Sequence, residues 1–402
     1  MKNMKNGCFF PADILLPQSG FEKWSVIACD QYTSEPEYWE TAERNVGSAP
    51  SALRLILPEA YLGENDGAKI EEINRNMREY LNSGVFKTLP DAVIYTERRQ
   101  KNGRLRRGLV GMIDLESYDY KPGARSAVRA TEKTVAERIP PRVRIRENAP
   151  LELPHVMLLA DDPEDTVIGP VAGRRESLEK LYDFELMNGG GHIKGFLADD
   201  EAVSSVDGAL ARLREKGDGL LFCVGDGNHS LAAAKAAYEK NPGGISRYAL
   251  VEIVNIHDSA LEFEPIYRAV FGADPETLIS LVEKAAGGEY SGADAQKFTC
   301  VFSGGERELS LRPAAKLPVG TLQPILDEIA AKNELRIDYI HGEQNLRALC
   351  CAPDTTGFLF RGMEKSELFG SVLADGSLPR KTFSMGCADD KRFYLEARKI
   401  AE

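Results

Sequence analysis

The chain reads as a mixed α/β protein. Three observations carry that reading. Apolar strand-like runs alternate with amphipathic helical stretches through residues 199–255, an Asn102-Gly103 pair joins two extended runs as a hairpin turn does, and no repeat or low-complexity segment breaks the pattern. At roughly 100–200 residues per domain, 402 residues imply two or three domains. Beyond Asp258 helices and short strands continue to mix, so the expected division is a core of residues 1–260 and a C-terminal α/β region of residues 261–402 packed on it.

Taken in order, WSVIACD suggests a short strand, followed by a polar loop in which Asp30 and Tyr32 are either a second acidic element of the site or turn-forming residues. Ser34 and Glu37 have the spacing of a capping box, and Pro36 suits the first turn of the helix it would open. Ile70, Ile73, Met77, Tyr80 and Leu81 fall on one face of a second helix that stops near Gly84. Asn102-Gly103 predicts a type I′ hairpin turn carrying Arg98, Arg99, Lys101, Arg104, Arg106 and Arg107, either a solvated face or a receiver of anions. In RVRIRE the period-two alternation predicts a strand with Arg142, Arg144 and Arg146 on one side, meeting carboxylates or a ligand. LELPHVMLL resumes strand character, and RRESLEKLYDFELMNGG reads as a helix ending in glycine. The run 188–192 is either a lid or a simple connector. A helix over 199–217, a buried strand GLLFCV, the turn GDGNH, an alanine-rich helix and the strand RYALVEIVNI complete the series.

Composition narrows the function. Hydrophobic residues make up 43% and charged residues 28%, which places the chain among ordinary globular proteins. Acidic residues outnumber basic ones 62 to 50, and the net charge of -12 repels a polyanion, so nucleic acid is not an expected partner. Seven scattered cysteines, odd in number and without a C-x-x-C pair, read as reduced thiols. Pro11 and Asp13 interrupt the N-terminal apolar stretch before a signal peptide develops, and no run approaches the ~18 apolar residues of a membrane span. A cytoplasmic location without membrane partners is expected. His155, His257 and His341 have no metal-ligand spacing, so no structural zinc is expected.

The strongest local feature is Gly225-Asp226-Gly227-Asn228-His229-Ser230, set between an apolar strand and a helix. A helix N-terminus presents free N–H groups and partial positive charge, and Gly225 and Gly227 let a phosphate approach the backbone closely. His229 adds a donor, Asn228 donates or accepts, and Asp226 either holds magnesium or fixes the imidazole tautomer. The bland alternative is a capped turn with its polar groups bonded locally. The same spacing admits a dinucleotide fingerprint with Ser230 in the place of the third glycine and Glu252 as ribose acceptor. A second cluster, Thr131, Glu132, Thr134 and Arg138, offers a general base or metal ligand in Glu132, with hydroxyls and a cation to touch substrate or phosphate; a capped surface helix is its alternative. Arg380 and Lys381 could reach a phosphate from the C-terminal region.

GDGNHSLAAAK resembles the Asp-Gly-His-His-Arg turn of domain-of-unknown-function family 1015, which is related to the ParB/sulfiredoxin fold. The resemblance continues through CDQYTSEPEYW, RRGLVGMIDLESY, RATEKTVAERIPPR and LPRKTF, and so covers nearly the whole chain. It implies a ParB/sulfiredoxin-like core. Relatives of that fold, among them sulfiredoxins, ParB-type nucleotidases and an archaeal free-serine kinase, bind nucleotide phosphates at this strand-turn-helix. By the resemblance Asp226, Gly227 and His229 match the motif, whereas Asn228 and Ser230 depart from its first His and its Arg. Losing that Arg removes a bidentate phosphate clamp, so either Arg138, Arg142 or Arg144 supplies the charge, or this branch has lost or changed its nucleotide chemistry.

The function expected from this reading is a phosphotransferase that moves phosphate from ATP or ADP, with magnesium, to a hydroxyl of a small polar, amino-acid-like metabolite. The alternatives are a nucleotide-responsive regulatory protein without turnover and a dinucleotide-dependent oxidoreductase using Glu252.

Overall fold

The computed structural model describes residues 4–63, 66–121, 123–133 and 139–401. The chain forms two compact units, one running to Leu261 and regaining the segment from Gly386 onward, the other Glu262–Met385. The segment 386–401, grouped from sequence with the C-terminal region, thus packs with the first unit, because Phe393, Tyr394, Leu395 and Ala397 are buried in its apolar interior.

The first unit is built on a ten-stranded mixed sheet. Its strands are β1 (Phe9–Phe10), β2 (Ile94–Arg99), β3 (Leu105–Asp114), β4 (Tyr118–Asp119), β5 (Val128–Ala130), β6 (Met157–Ala160), β7 (Glu179–Glu185), β8 (His192–Leu197), β9 (Phe222–Asp226) and β10 (Tyr248–Asn255). The order is β7-β8-β2-β3-β10-β6-β9-β5-β4, with β1 paired to β3. Its principal helices are α1 (Pro36–Val46), α2 (Gly67–Asn82), α3 (Ile139–Glu147), α4 (Asp200–Lys216) and α5 (Asn228–Lys240). Alternate residues of β3 feed two apolar clusters, Leu109 and Ile113 one, Val110 and Met112 the other, as a period of two requires for a sheet covered on both faces. Leu210 of α4 and Leu231 and Ala234 of α5 join the first cluster; Trp39 of α1 and Met77 of α2 join the second.

β6 runs antiparallel to β9 and parallel to β10, so β9 and β10 flank it in opposite directions. A dinucleotide fold needs the strands on either side of its glycine turn and helix to run parallel. Glu252 on β10 is moreover buried and bound to Arg392, with Nε 2.9 Å from Oε2. The dinucleotide reading is therefore not supported.

Several local expectations change. RVRIRE lies in α3, because Pro140 and Pro141 start a helix and arginine sustains one; Arg142 and Arg146 then share a face and Arg144 leaves it. Residues 179–185 form β7 instead of a helix, since pairing with β8 seats the Tyr182 ring over Gly195, where a Cβ would lie 2.1 Å from it. α1 has Glu35 at its cap with no side-chain bond, so Ser34 falls one residue early for the capping box. At the β2–β3 hairpin Gly103 has φ +83° but Asn102 has no positive φ, and Gly103 N–H donates to Gln100 O at 2.9 Å, which is a three-residue turn with a glycine bulge. The run 188–192 is packed: Arg98 donates to Gly190 O at 2.9 Å, and a Cβ on Gly190 would meet Phe393 at 2.4 Å.

The second unit carries a six-stranded sheet. Its strands are β11 (Phe263–Phe271), β12 (Gln296–Phe302), β13 (Gly305–Leu311), β14 (Arg336–His341), β15 (Thr355–Phe360) and β16 (Phe383–Met385). The order is β13-β12-β15-β11-β14, with β16 on β11. Arg380 and Lys381 lend their carbonyls to the buried Arg268 at 3.2 and 3.0 Å, and Arg380 Nε donates to the Tyr339 hydroxyl at 2.7 Å. Among the described residues no helix of the chain is long and apolar enough to cross a membrane.

A buried charge network ties the returning segment to the first sheet. Arg392 donates to Pro154 O at 2.6 Å and pairs with Glu396 at 2.6 Å as well as with Glu252. Glu252 Oε1 also accepts from Thr96 at 3.2 Å, and Gly108 leaves room for it, since a Cβ there would lie 2.4 Å from that oxygen. Replacing Arg392 by Ala takes a charged partner from two buried carboxylates and is expected to cost about 3–5 kcal/mol, read as a lower urea midpoint. Burial alone would push the Glu252 carboxyl up, but Arg106, Arg392 and Arg98 hold it below its ordinary range; Arg146 and Arg398 do the same for Glu152. Their stabilisation is complete above the ordinary glutamate range and is lost as pH falls through the depressed folded values, so the urea midpoint should drop below about pH 4.

Candidate functional site

β9 delivers Gly225 and Asp226 to the edge of the fold, and Gly227, at φ +79°, turns the chain into α5. Both glycines answer to packing. A Cβ on Gly225 would lie 2.7 Å from Leu159, and one on Gly227 would lie 3.0 Å from Val156. No side chain caps α5 at Gly227. Asp226 accepts from the Gly227 N–H at 2.8 Å through Oδ1, and its Oδ2 lies 3.4 Å from Lys391 Nζ. A lysine from the returning segment thus stands beside the turn.

β5 runs parallel to β9 and ends beside it. Thr131 is buried and donates to Val224 O at 2.7 Å; Asn228 Nδ2 reaches Thr131 Oγ1 at 3.4 Å, while Asn228 Oδ1 is buried without a hydrogen-bond partner. Glu132 and His229 are half-buried near this strand end and turn. Thr134 and Arg138 lie outside the described residues. Arg142 is paired with Glu59, and Arg144 is exposed on α3. Of the three arginines expected to replace the lost clamp, Arg138 thus lies outside the described residues, Arg142 faces the carboxylate of Glu59 and Arg144 faces solvent. Of the hairpin cations, Arg98 and Arg106 are buried and Arg107 pairs with Asp165 at 2.9 Å, whereas Arg99, Lys101 and Arg104 are exposed.

The structure adds His155, Tyr394 and Cys29, which the sequence reading did not place at the site, and brings Asp30, read there as a candidate acidic element, beside them. His155, buried just before β6, has Nε2 3.1 Å from Ser230 Oγ and Nδ1 2.7 Å from the Tyr394 hydroxyl. That hydroxyl lies 3.1 Å from Cys29 Sγ and accepts the Cys29 N–H at 3.2 Å. Asp30 Oδ2 is 4.0 Å from His155 Nε2. Burial opposes ionisation of Asp30, yet His155, the Gln31 hydrogen bond and Lys391 hold its carboxyl below the usual range. Burial and the Asp30 charge push the Cys29 thiol up to about 12, away from the thiolate form. Only the residue types in CDQY and LPHV hinted at these roles; their meeting is tertiary.

Asp226 and Lys391 thus lie on one side of a cluster completed by Asp30, His155 and Ser230. The arrangement offers helix amides and an ammonium to an anion, and an imidazole with an adjoining carboxylate to a proton. Among the described residues no three His, Cys, Asp or Glu side chains gather to hold a metal ion. The single carboxylate of Asp226 suits a magnesium ion that arrives on phosphates, not a resident ion.

A model for a family described as a protein of unknown function, DUF1015, matches residues 12–333. No curated protein matches the chain. Among solved structures it is similar to a free serine kinase in complex with AMP, at 11% identity and TM-score 0.41, over 72% of this chain and 91% of that one. It is also similar to a conserved hypothetical protein from Pyrococcus furiosus, at 12% identity and TM-score 0.36, over 72% and 94%. A third similar structure is SbnI with a C-terminal truncation from Staphylococcus aureus, at 10% identity and TM-score 0.37, over 69% and 82%.

Replacing Gly227 by Ala forces a side chain into a left-handed backbone and against Val156. A loss of about 1–2 kcal/mol is expected, measured as a lower thermal midpoint.

Proposed function

The chain belongs to the DUF1015 family, and we propose that it is a nucleotide-binding phosphotransferase whose site is the turn 225–230 with Lys391, Asp30 and His155. The observation that carries the reading is the Asp226–Lys391 pair, 3.4 Å apart, at the uncapped start of α5. In this proposal the first amides of α5, His229 and Lys391 receive the phosphates, and Asp226 contributes one oxygen to a magnesium ion carried in by them. Glu132, Thr131 and Asn228 line the β5 side of the turn.

The acceptor hydroxyl sits near His155 Nε2. Its oxygen forms a bond to the terminal phosphorus, the bond from that phosphorus to the bridging oxygen breaks with its electron pair leaving on the nucleotide, and the hydroxyl proton passes to His155. Asp30 then stabilises the imidazolium. Lys391 takes the part of the arginine that Ser230 replaces, as a point charge in place of a fork.

Calorimetric titration with ADP and ATP in the presence of magnesium tests the reading. Asp226→Ala and Lys391→Ala are each expected to weaken binding about tenfold or more, whereas His155→Ala should retain binding and lose turnover. Unchanged affinity in both of the first two variants would dismiss this site. Binding without nucleotide consumption, across a panel of hydroxyl compounds, would support the regulatory reading instead.

A further inference from the structure

Ser230 is a hydroxyl with a base beside it. Its Oγ lies 3.1 Å from His155 Nε2, and His155 Nδ1 lies 2.7 Å from the Tyr394 hydroxyl. That hydroxyl donates to Cys29 Sγ at 3.1 Å, so toward the imidazole its oxygen accepts. The ring proton then belongs on Nδ1, and Nε2 keeps the lone pair that faces Ser230. A hydroxyl, a base within hydrogen-bond reach and a third group that fixes the base are the parts of an activated serine.

Its place in the helix adds to this. Ser230 is the third residue of α5, after Asn228 and His229. Side chains of a helix lean toward its N-terminus, so this hydroxyl points back over the uncapped first turn, where the phosphates are seated in the function proposed above. Ser230 is half-buried, and together with His155 it lines a cavity of about 160 Å³. A free alcohol must displace Ser230 to reach Nε2, whereas the Ser230 hydroxyl is held there before nucleotide arrives.

Resting on the phosphotransferase reading, we propose that Ser230 is itself a phosphate acceptor, so that the chain phosphorylates its own Ser230 when nucleotide is bound. Ser230 Oγ bonds to the terminal phosphorus, and the bond from that phosphorus to its bridging oxygen breaks. The shortened nucleotide departs with the electron pair, and the hydroxyl proton goes to His155 Nε2. The product is a phosphoserine at the third position of α5. Its charge meets the positive end of the helix, the His155 imidazolium and the Lys391 ammonium, against the carboxylates of Asp226 and Asp30.

The test incubates the full chain with magnesium and either ATP labelled at its γ-phosphate or ADP labelled at its β-phosphate, no acceptor compound being added. Label is expected to approach about one phosphate per chain, at a rate per chain that does not depend on protein concentration. It should survive acid, as a phosphoserine ester does and a phosphohistidine does not, and should map to Ser230 by tandem mass spectrometry. Ser230→Ala should remove the label, Ser230→Thr should restore it on the new hydroxyl, and His155→Ala should slow its appearance about 100-fold. Mapping on the unaltered chain decides the matter even where a variant fails to fold. Acid-labile label, label at another residue or a rate proportional to protein concentration overturns the proposal. Nucleotide that binds in calorimetry but leaves no label overturns it too, with the phosphotransferase reading still standing. Absence of both binding and label removes the two together.

Discussion

One buried guanidinium organises the first unit. Arg392 holds Glu252 of the central strand β10, Glu396 of its own segment and the carbonyl of Pro154, all in the interior. Two carboxylates taken out of water are tolerable because this cation, with Arg106 and Thr96 at Glu252 and the Tyr182 hydroxyl at Glu396, supplies their hydrogen bonds and charge. Position follows from that pairing. Residues 393–394 next to it pair with 26–27, which sets the loop bearing Cys29 and Asp30; Lys391 before it reaches Asp226; Tyr394 after it fixes the His155 ring.

The core of the site was legible where chemistry and secondary structure coincide within a few residues. The apolar run ending at Val224, the glycine turn and the alanine-rich helix specify β9 and α5 in the sequence alone. The rest depends on distant partners. His155 lies between apolar runs and looks like a lone core histidine until Ser230, Tyr394 and Asp30 close around it. Lys391 carries no local signal, because its role comes from the fold of a segment that crosses back from beyond the second unit. The arginines misled for a related reason. A period of two over six residues fits a strand, but two prolines at the start of α3 decide for a helix, and the row of Arg142, Arg144 and Arg146 is scattered around it.

The site also differs on its two sides. Toward the turn it is polar, with amide donors, the Lys391 ammonium and the carboxylates of Asp226 and Asp30; toward the cavity the lining is mainly apolar, with the Arg142–Glu59 and Arg146–Glu152 pairs set into it.

The path of the chain has a bearing on biosynthesis. Asp226 and His155 emerge from the ribosome early, but the residues that complete their surroundings follow only after Glu262–Met385 has been translated. At about 5–20 residues per second that interval lasts roughly 6–25 s. During it the nascent first sheet carries the carboxylate of Glu252 without its Arg392 counter-ion, so final consolidation of this interior belongs to a late stage of synthesis.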